Sequence, residues 1–134
     1  MLARGRWSIF LSRALKMKLL GLTPMLTVTA IEPAVAFYRD VLGFAVLSSA
    51  EDWAAVQRDG VEVMFALPNA HIPFDAPRFT GSLYFRVDDV DALWAHLKDR
   101  ARVEYALETF DYGMREFAIR DNSGYLLQFG QSAR

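Results

Sequence analysis

The order of apolar and polar residues predicts one strand–helix–strand unit that occurs twice along the chain. Apolar positions of the first unit recur 59 residues later, pairing Val28 with Val87, Ile31 with Val90, Val35 with Trp94 and Tyr38 with Leu97. Each unit continues through strand-like stretches into a related final arm, residues 59–65 in the first and 123–129 in the second. Two copies are too few for a solenoid, so the repeat predicts a pseudo-symmetric pair of modules.

Period-two alternation between turn residues predicts the strands, and a three-to-four-residue apolar spacing predicts one helix per module. The first module has strands at 25–29, 45–49, 53–58 and 61–67 and a helix that opens at residues 32–33. The second has strands at 82–87, 103–108, 115–120 and 125–129 and a helix at 89–98. In the first helix, Ala34, Phe37 and Val41 form the predicted buried stripe, and Gly43 is the expected left-handed residue after it. The predicted fold class is therefore α+β, with two βαβββ modules and mainly antiparallel sheet.

Composition limits both the domain count and the chemistry. The 134 residues suffice for one domain at 17–134, with modules at 22–67 and 81–130 joined by a proline-rich connector at 68–80. We expect residues 1–16 to be a disordered or helical arm, with a targeting or membrane-surface helix as the alternative. This arm holds four cations and no acid, which leaves eleven cations and sixteen acids, a net charge of −5, in the rest of the chain. An acidic domain disfavours nucleic acid as a partner.

Two absences in the sequence narrow the function further. There is no cysteine, which excludes thiolate catalysis and cysteine-based metal sites. No apolar run approaches the ~20 residues that a membrane span needs, so we expect no membrane partner and a cytoplasmic protein. Ten Phe, five Tyr and three Trp are many for this length. Such a surplus favours a subunit interface or a ligand cleft, and we expect a homodimer.

Two stretches of the chain carry a resemblance to a known family. They are Val28-x-x-Ile31 followed by Phe37-Tyr-Arg-Asp-Val-Leu-Gly-Phe44, and the closing run from Arg115 to Gly124. Over residues 22–130 the sequence resembles the glyoxalase/bleomycin-resistance/extradiol-dioxygenase superfamily, also called vicinal oxygen chelate proteins, and is most similar to its bleomycin-resistance branch. The resemblance implies a curled mixed sheet around a cleft, which dimerisation commonly completes.

The resemblance also implies four metal-ligand positions, which are His or Glu in the enzymes of the superfamily. They fall on Thr23 and Ser82 in the first strands and on Met64 and Gln128 in the final arms. Hydroxyls, a thioether and an amide are poor ligands for a catalytic divalent ion, so we expect no metal and no other cofactor. Each histidine, His71 and His96, lacks a His or Glu companion at ligand spacing and is expected to be an ordinary polar residue.

The remaining candidate is a small-molecule cleft without a metal. Strand alternation and the neighbouring loops predict its ligand-binding residues, which are Met25, Trp53, Glu62, Met64, Tyr84, Arg86, Tyr112, Met114 and Gln128. Alternatives remain open for some of these: Trp53 and Tyr112 as rim or interface residues, and Arg86 and Glu62 as partners that neutralise each other.

Two functional classes fit these expectations. The first is a metal-independent binding protein that sequesters a planar or cationic small molecule in a dimeric cleft, as the resemblance to bleomycin-resistance proteins implies. The second is an enzyme, either a glyoxalase-like lyase or dioxygenase or one that uses Glu62 as base, with Arg86 or Tyr84 steadying an oxyanion. No motif identifies catalytic residues, and no sequence feature identifies the ligand.

Overall fold

The secondary structure follows the predicted order in both modules. The computed structural model describes residue 16 and residues 20–69, 75–76 and 78–134. The strands are β1 (Met25–Thr27), β2 (Ala45–Ser49), β3 (Trp53–Arg58), β4 (Val61–Ala66), β5 (Leu83–Arg86), β6 (Arg102–Thr109), β7 (Met114–Arg120) and β8 (Leu126–Ser132). The helices are α1 (Ile31–Ala36), which continues as a π turn (Phe37–Val41), and α2 (Val90–Leu97). Apart from residue 16 the N-terminal arm lies outside the described residues, as do His71 and much of the connector.

Each module forms its own four-stranded mixed sheet. The strand orders are β1-β4-β3-β2 and β5-β8-β7-β6. In each sheet the first strand pairs in parallel with the last, and the other pairs are antiparallel. The predicted α+β class and the pair of βαβββ modules are therefore confirmed.

The first helix differs from its predicted pattern at its C-terminal end. Ala34 is fully buried as predicted, but Phe37 and Val41 are half-buried at the edge of the core, while Tyr38 is completely buried. The π turn is wider than an α-helical turn, so it changes which side chains point inward over its five residues. The turn ends as predicted at Gly43, whose φ is 75°, and the N–H of Phe44 bonds to the carbonyl of Tyr38 at 2.8 Å.

The sides of both sheets that face the helices build one shared core. Its fully buried members come from both modules and include Val28, Val63, Phe65, Phe117 and Leu127. Two tyrosine hydroxyls also cross between the modules. That of Tyr38 donates to Asp121 Oδ2 at 2.9 Å, and that of Tyr125 donates to the carbonyl of Thr27 at 2.6 Å. The opposite sides of the sheets carry the predicted cleft residues.

Candidate functional site

A cavity of about 560 Å³ opens on the side of the second sheet that faces away from the core. It is lined by Tyr84, Arg86, Tyr112, Met114, Glu116 and Gln128. The structure thus brings together five of the predicted ligand-binding residues, and it adds a carboxylate that the sequence reasoning did not select. The cavity is polar at its centre and aromatic at its rim, a composition typical of small-molecule sites.

Strand pairing explains why these side chains converge. Tyr84, Gln128 and Ala118 lie side by side across β5, β8 and β7. In the next row with the same orientation, Gly130 separates Arg86 from Glu116. A Cβ atom at Gly130 would lie 1.9 Å from the hydroxyl oxygen of Tyr84. The glycine is therefore what allows the Tyr84 ring to cross the sheet and reach Glu116.

Glu116 is the centre of a hydrogen-bonded cluster. Its side chain is nearly inaccessible, since the residue is 2% exposed. Tyr84 donates to Oε2 at 2.5 Å, Tyr105 donates to Oε1 at 3.3 Å, and Tyr112 also donates to Oε1. Among the described residues it forms no ion pair with a cation. A buried carboxylate without a cationic partner needs such hydrogen bonds to offset its lost hydration.

The hydroxyls of Tyr84 and Tyr105 keep their protons at neutral pH. Burial raises the pKa of Tyr84 to about 12, and the hydrogen bond to Glu116 acts in the same direction, while nearby Arg86 opposes it. Burial also raises the pKa of Tyr105. Each phenol is therefore available as a hydrogen-bond donor to Glu116 over the physiological pH range.

Gln128 holds a fixed orientation beside this cluster. Its Nε2 donates to the hydroxyl oxygen of Tyr105 at 2.7 Å, and its Oε1 accepts a hydrogen bond from Ser82. The resemblance put two of the four expected metal-ligand positions at Ser82 and Gln128. Here they bond to each other, and in the described part of the chain no three His, Cys, Asp or Glu residues are grouped to hold an ion. The donor set does not fit a catalytic divalent metal.

The predicted residues of the first module lie on the corresponding side of the first sheet. Met25 pairs with Met64, Trp53 begins β3, and Glu62 lies two residues before Met64 on β4. Met25 is 56% exposed, and none of these four side chains lines the cavity on the second sheet. Within one chain, the predicted site residues are therefore divided between the second-sheet cavity and the first sheet. No ion pair joins Glu62 to Arg86 within the described residues.

A larger cavity, about 870 Å³, lies between the end of the π turn and α2. Two of the polar side chains along it bond to backbone carbonyls. Arg58 Nη1 donates to the carbonyl of Leu42 at 2.6 Å, and His96 Nε2 lies 3.1 Å from the carbonyl of Val41. They satisfy carbonyls at the end of the π turn, which agrees with the expectation that His96 is an ordinary polar residue.

The sequence offered a usable signal for Glu116 and a poor one for Tyr105. Glu116 lies two residues after Met114 on a strand, so period-two alternation puts both on the same side. Tyr105 lies in β6 between two irregularities of the pairing with β7, one between Val103 and Tyr105 and one between Tyr105 and Glu108. Such bulges change the side to which a residue points, and simple alternation misses them.

Comparison with known proteins agrees with this architecture. The profile of the Glyoxalase/Bleomycin resistance protein/Dioxygenase superfamily matches residues 18–129. No protein of curated function is significantly similar in sequence. No helix in the described part of the chain is long and apolar enough to cross a membrane.

Several solved structures share the fold. The bleomycin-binding protein of Streptomyces verticillus, in its complex with copper(II)-bleomycin, is 29% identical with a TM-score of 0.66, over 84% of this chain and 96% of that chain. A protein of unknown function from Agrobacterium tumefaciens is 23% identical with a TM-score of 0.72, over 88% and 98% of the two chains. A glyoxalase/bleomycin resistance protein/dioxygenase from Nocardioides is 14% identical with a TM-score of 0.72, over 95% and 93%. The last two likenesses show the fold alone.

Proposed function

The chain belongs to the glyoxalase/bleomycin-resistance/dioxygenase superfamily, and we propose that it is a metal-independent member that sequesters a planar or cationic small molecule. The observation that carries the proposal is the second-sheet cavity, where Ser82 and Gln128 bond to each other and a buried carboxylate lies beneath exposed tyrosines. That arrangement suits binding and gives no ligand set for the metal chemistry of the superfamily's enzymes.

The aromatic rim supports a flat ligand. The ring of Tyr112 stacks on Phe110 with centroids 5.4 Å apart and planes within 5°, and Tyr105 packs edge-on against the same Phe110. Tyr112 is 61% exposed, so part of its ring is open to a ligand. Each aromatic pair contributes about 0.5–1.5 kcal/mol beyond the burial of area. A relative 29% identical that is complexed with copper(II)-bleomycin adds support for a bulky ligand of this type.

We further propose that a second copy of the chain completes the site. The first-sheet residues Met25, Trp53, Glu62 and Met64 do not line the cavity of their own chain. A partner subunit that places them opposite the tyrosine rim would enclose the ligand between two sheets. The expected species is therefore a homodimer, and sedimentation velocity that gives a dilution-independent monomer at micromolar concentration would contradict it.

Ligand binding is tested by titrating the protein with metal-free bleomycin and other planar cationic compounds while recording tryptophan fluorescence. We expect saturable quenching with micromolar or tighter affinity that weakens as salt is added. Tyr112→Ala should weaken binding, while Phe79→Ala, which truncates a similarly exposed aromatic outside the cavity, should not. No response to the whole panel, together with turnover of a thiol conjugate or catechol without added metal, would replace this proposal with the enzyme alternative.

A further inference from the structure

We propose that Glu116 and its tyrosines set the hydrogen-bond polarity of the cavity, so that it recognises a forked N–H donor, an amidinium or a primary amide, in preference to a carboxylate. This inference rests on the proposed function, because it names the chemistry that the same cavity selects. It assigns the recognition to Glu116, whereas the carboxylate among the residues predicted from the sequence is that of Glu62.

The phenolic protons around Glu116 are all directed at its carboxylate. A tyrosine hydroxyl has one proton to donate, and Tyr84, Tyr105 and Tyr112 all direct theirs to Glu116. Toward a ligand, each hydroxyl oxygen can therefore only accept a hydrogen bond. Tyr105 already accepts from Gln128 Nε2. Of the three hydroxyl oxygens, those of Tyr84 and Tyr112 accept no hydrogen bond among the described residues and remain open to a ligand's donors.

The positions of these two oxygens match a forked donor. Tyr84 bonds to Oε2 of Glu116 and Tyr112 bonds to Oε1, so the two hydroxyls are anchored on the two oxygens of one carboxylate. Both residues line the cavity, and they are 40% and 61% exposed. Amidinium and primary amide groups carry two N–H bonds in one plane, which is the complement of two neighbouring acceptors.

The charges around the cavity agree with this polarity and add a second requirement. The charge of Glu116 has no cationic partner in the described part of the chain, and its hydrogen bonds polarise the phenol oxygens toward the cavity. Arg86 is the other charged residue of the lining, and it offers only donors. A ligand that fits both therefore points its N–H fork at the tyrosines and a carbonyl or similar acceptor at Arg86.

A matched series of flat probes tests the inference. Benzamidine, benzamide and benzoate share one ring and differ in donor number and charge, and their binding is measured by NMR through the side-chain amide of Gln128. We expect affinity in the order benzamidine, benzamide, benzoate, with at least about a tenfold span, because charge-assisted hydrogen bonds are roughly twice as strong as neutral ones.

The decisive variant is Glu116→Gln. Its amide would donate to one phenol oxygen, so that this phenol turns its own proton toward the cavity and the preference for benzamidine over benzoate should fall to about threefold or less. Glu108→Gln makes the same change at the exposed residue that faces Glu116 across β6 and β7, and it should leave the preference intact. If Glu116→Gln does not fold, Tyr84→Phe with Tyr112→Phe removes both acceptors and should also abolish the preference.

Three outcomes would overturn the inference. One is benzoate binding at least as tightly as benzamidine and losing its affinity in Arg86→Gln, which would make the cavity an anion site. Another is an unchanged preference in Glu116→Gln. The third is no shift of the Gln128 amide with any probe at millimolar concentration. In each case, the proposed function still holds if a bleomycin titration saturates. If neither the probes nor bleomycin bind, the proposed function is contradicted as well.

Discussion

Removing the hydroxyl of Tyr38 tests how the two modules are held together. Tyr38 is fully buried at the end of the first helix, and its hydroxyl reaches Asp121, 83 residues away in the second module. Burial raises the pKa of Tyr38 well above its ordinary value, so the hydroxyl remains a donor at any pH of interest. Tyr38→Phe removes this cross-module hydrogen bond and keeps the ring.

The expected loss of unfolding free energy is about 1.5–3 kcal/mol, the usual contribution of a hydrogen bond to a charged group. The packing part of the change is small, because Phe can keep the edge-on contacts with Phe65 and Phe44 at centroid distances of 4.8 and 5.5 Å. Asp121 is 4% exposed and would lose one of its partners, although three backbone N–H groups still donate to its Oδ1.

Urea unfolding at pH 8 and one fixed protein concentration measures the loss, since a dimer's apparent stability depends on concentration. Tyr125→Phe is the matched control. It also removes a cross-module tyrosine hydroxyl, but the acceptor is the neutral carbonyl of Thr27, so about 0.5–1.5 kcal/mol is expected. A loss for Tyr38→Phe no greater than that for Tyr125→Phe would refute the assignment of a charged, buried acceptor.

Three further results are expected. Burial raises the pKa of Asp121 above its unfolded value near 3.9. The stability of the parent relative to Asp121→Asn should therefore be highest below about pH 4 and decline as pH rises through the raised pKa, by at most about 1.4 kcal/mol per pH unit. A relative stability that rises over this range would contradict the shift. Gly130→Ala should displace the Tyr84 ring, lower the free energy of unfolding by about 1–3 kcal/mol and lower the pKa of Tyr84 from about 12 in an ultraviolet titration. Gly81→Ala is the control and should do neither, because a Cβ atom there would lie at an ordinary 3.4 Å from the ring of Phe79. Elemental analysis after dialysis should give far less than one transition metal per chain, and a stoichiometric metal lost on mutating Met64 or Gln128 would count against the binding assignment.

The sequence predicted the fold well because local and long-range signals agree. The apolar period, the turn residues and the 59-residue repeat all indicate the same modules. The π turn was missed because nothing in the residues from Phe37 to Val41 distinguishes it from a further α-helical turn in the sequence. The sequence predicted that Phe37 is buried, whereas Tyr38 is the buried residue. Its hydroxyl bonds to Asp121 in the second module, a partner that no local pattern in the sequence reveals.

The site was predictable only in part, because strand alternation gives the face of a residue but not its neighbours. Alternation predicted one side of the second sheet for Tyr84, Arg86 and Gln128, and all three line the cavity there. It did not show that Glu116 lies beside them, since that requires the register of β7 against β8. Nor did it show that Met25 and Glu62 lie apart from the second-sheet cavity, because the placement of two sheets relative to each other is a tertiary property.

Pseudo-symmetry relates the two surfaces of the proposed site. The pairing registers make Met25, Met64 and Trp53 of the first sheet equivalent to Tyr84, Gln128 and Glu116 of the second. At each of these positions one module has an apolar or aromatic side chain, and the other has a hydrogen-bonding one. A ligand held by both kinds of surface needs an apolar face and a polar edge with N–H donors, which is the combination that the proposed planar, donor-bearing molecule has. Because the first-sheet residues do not line the cavity of their own chain, this complementarity supports the proposed site between two subunits, in which each supplies what the other lacks.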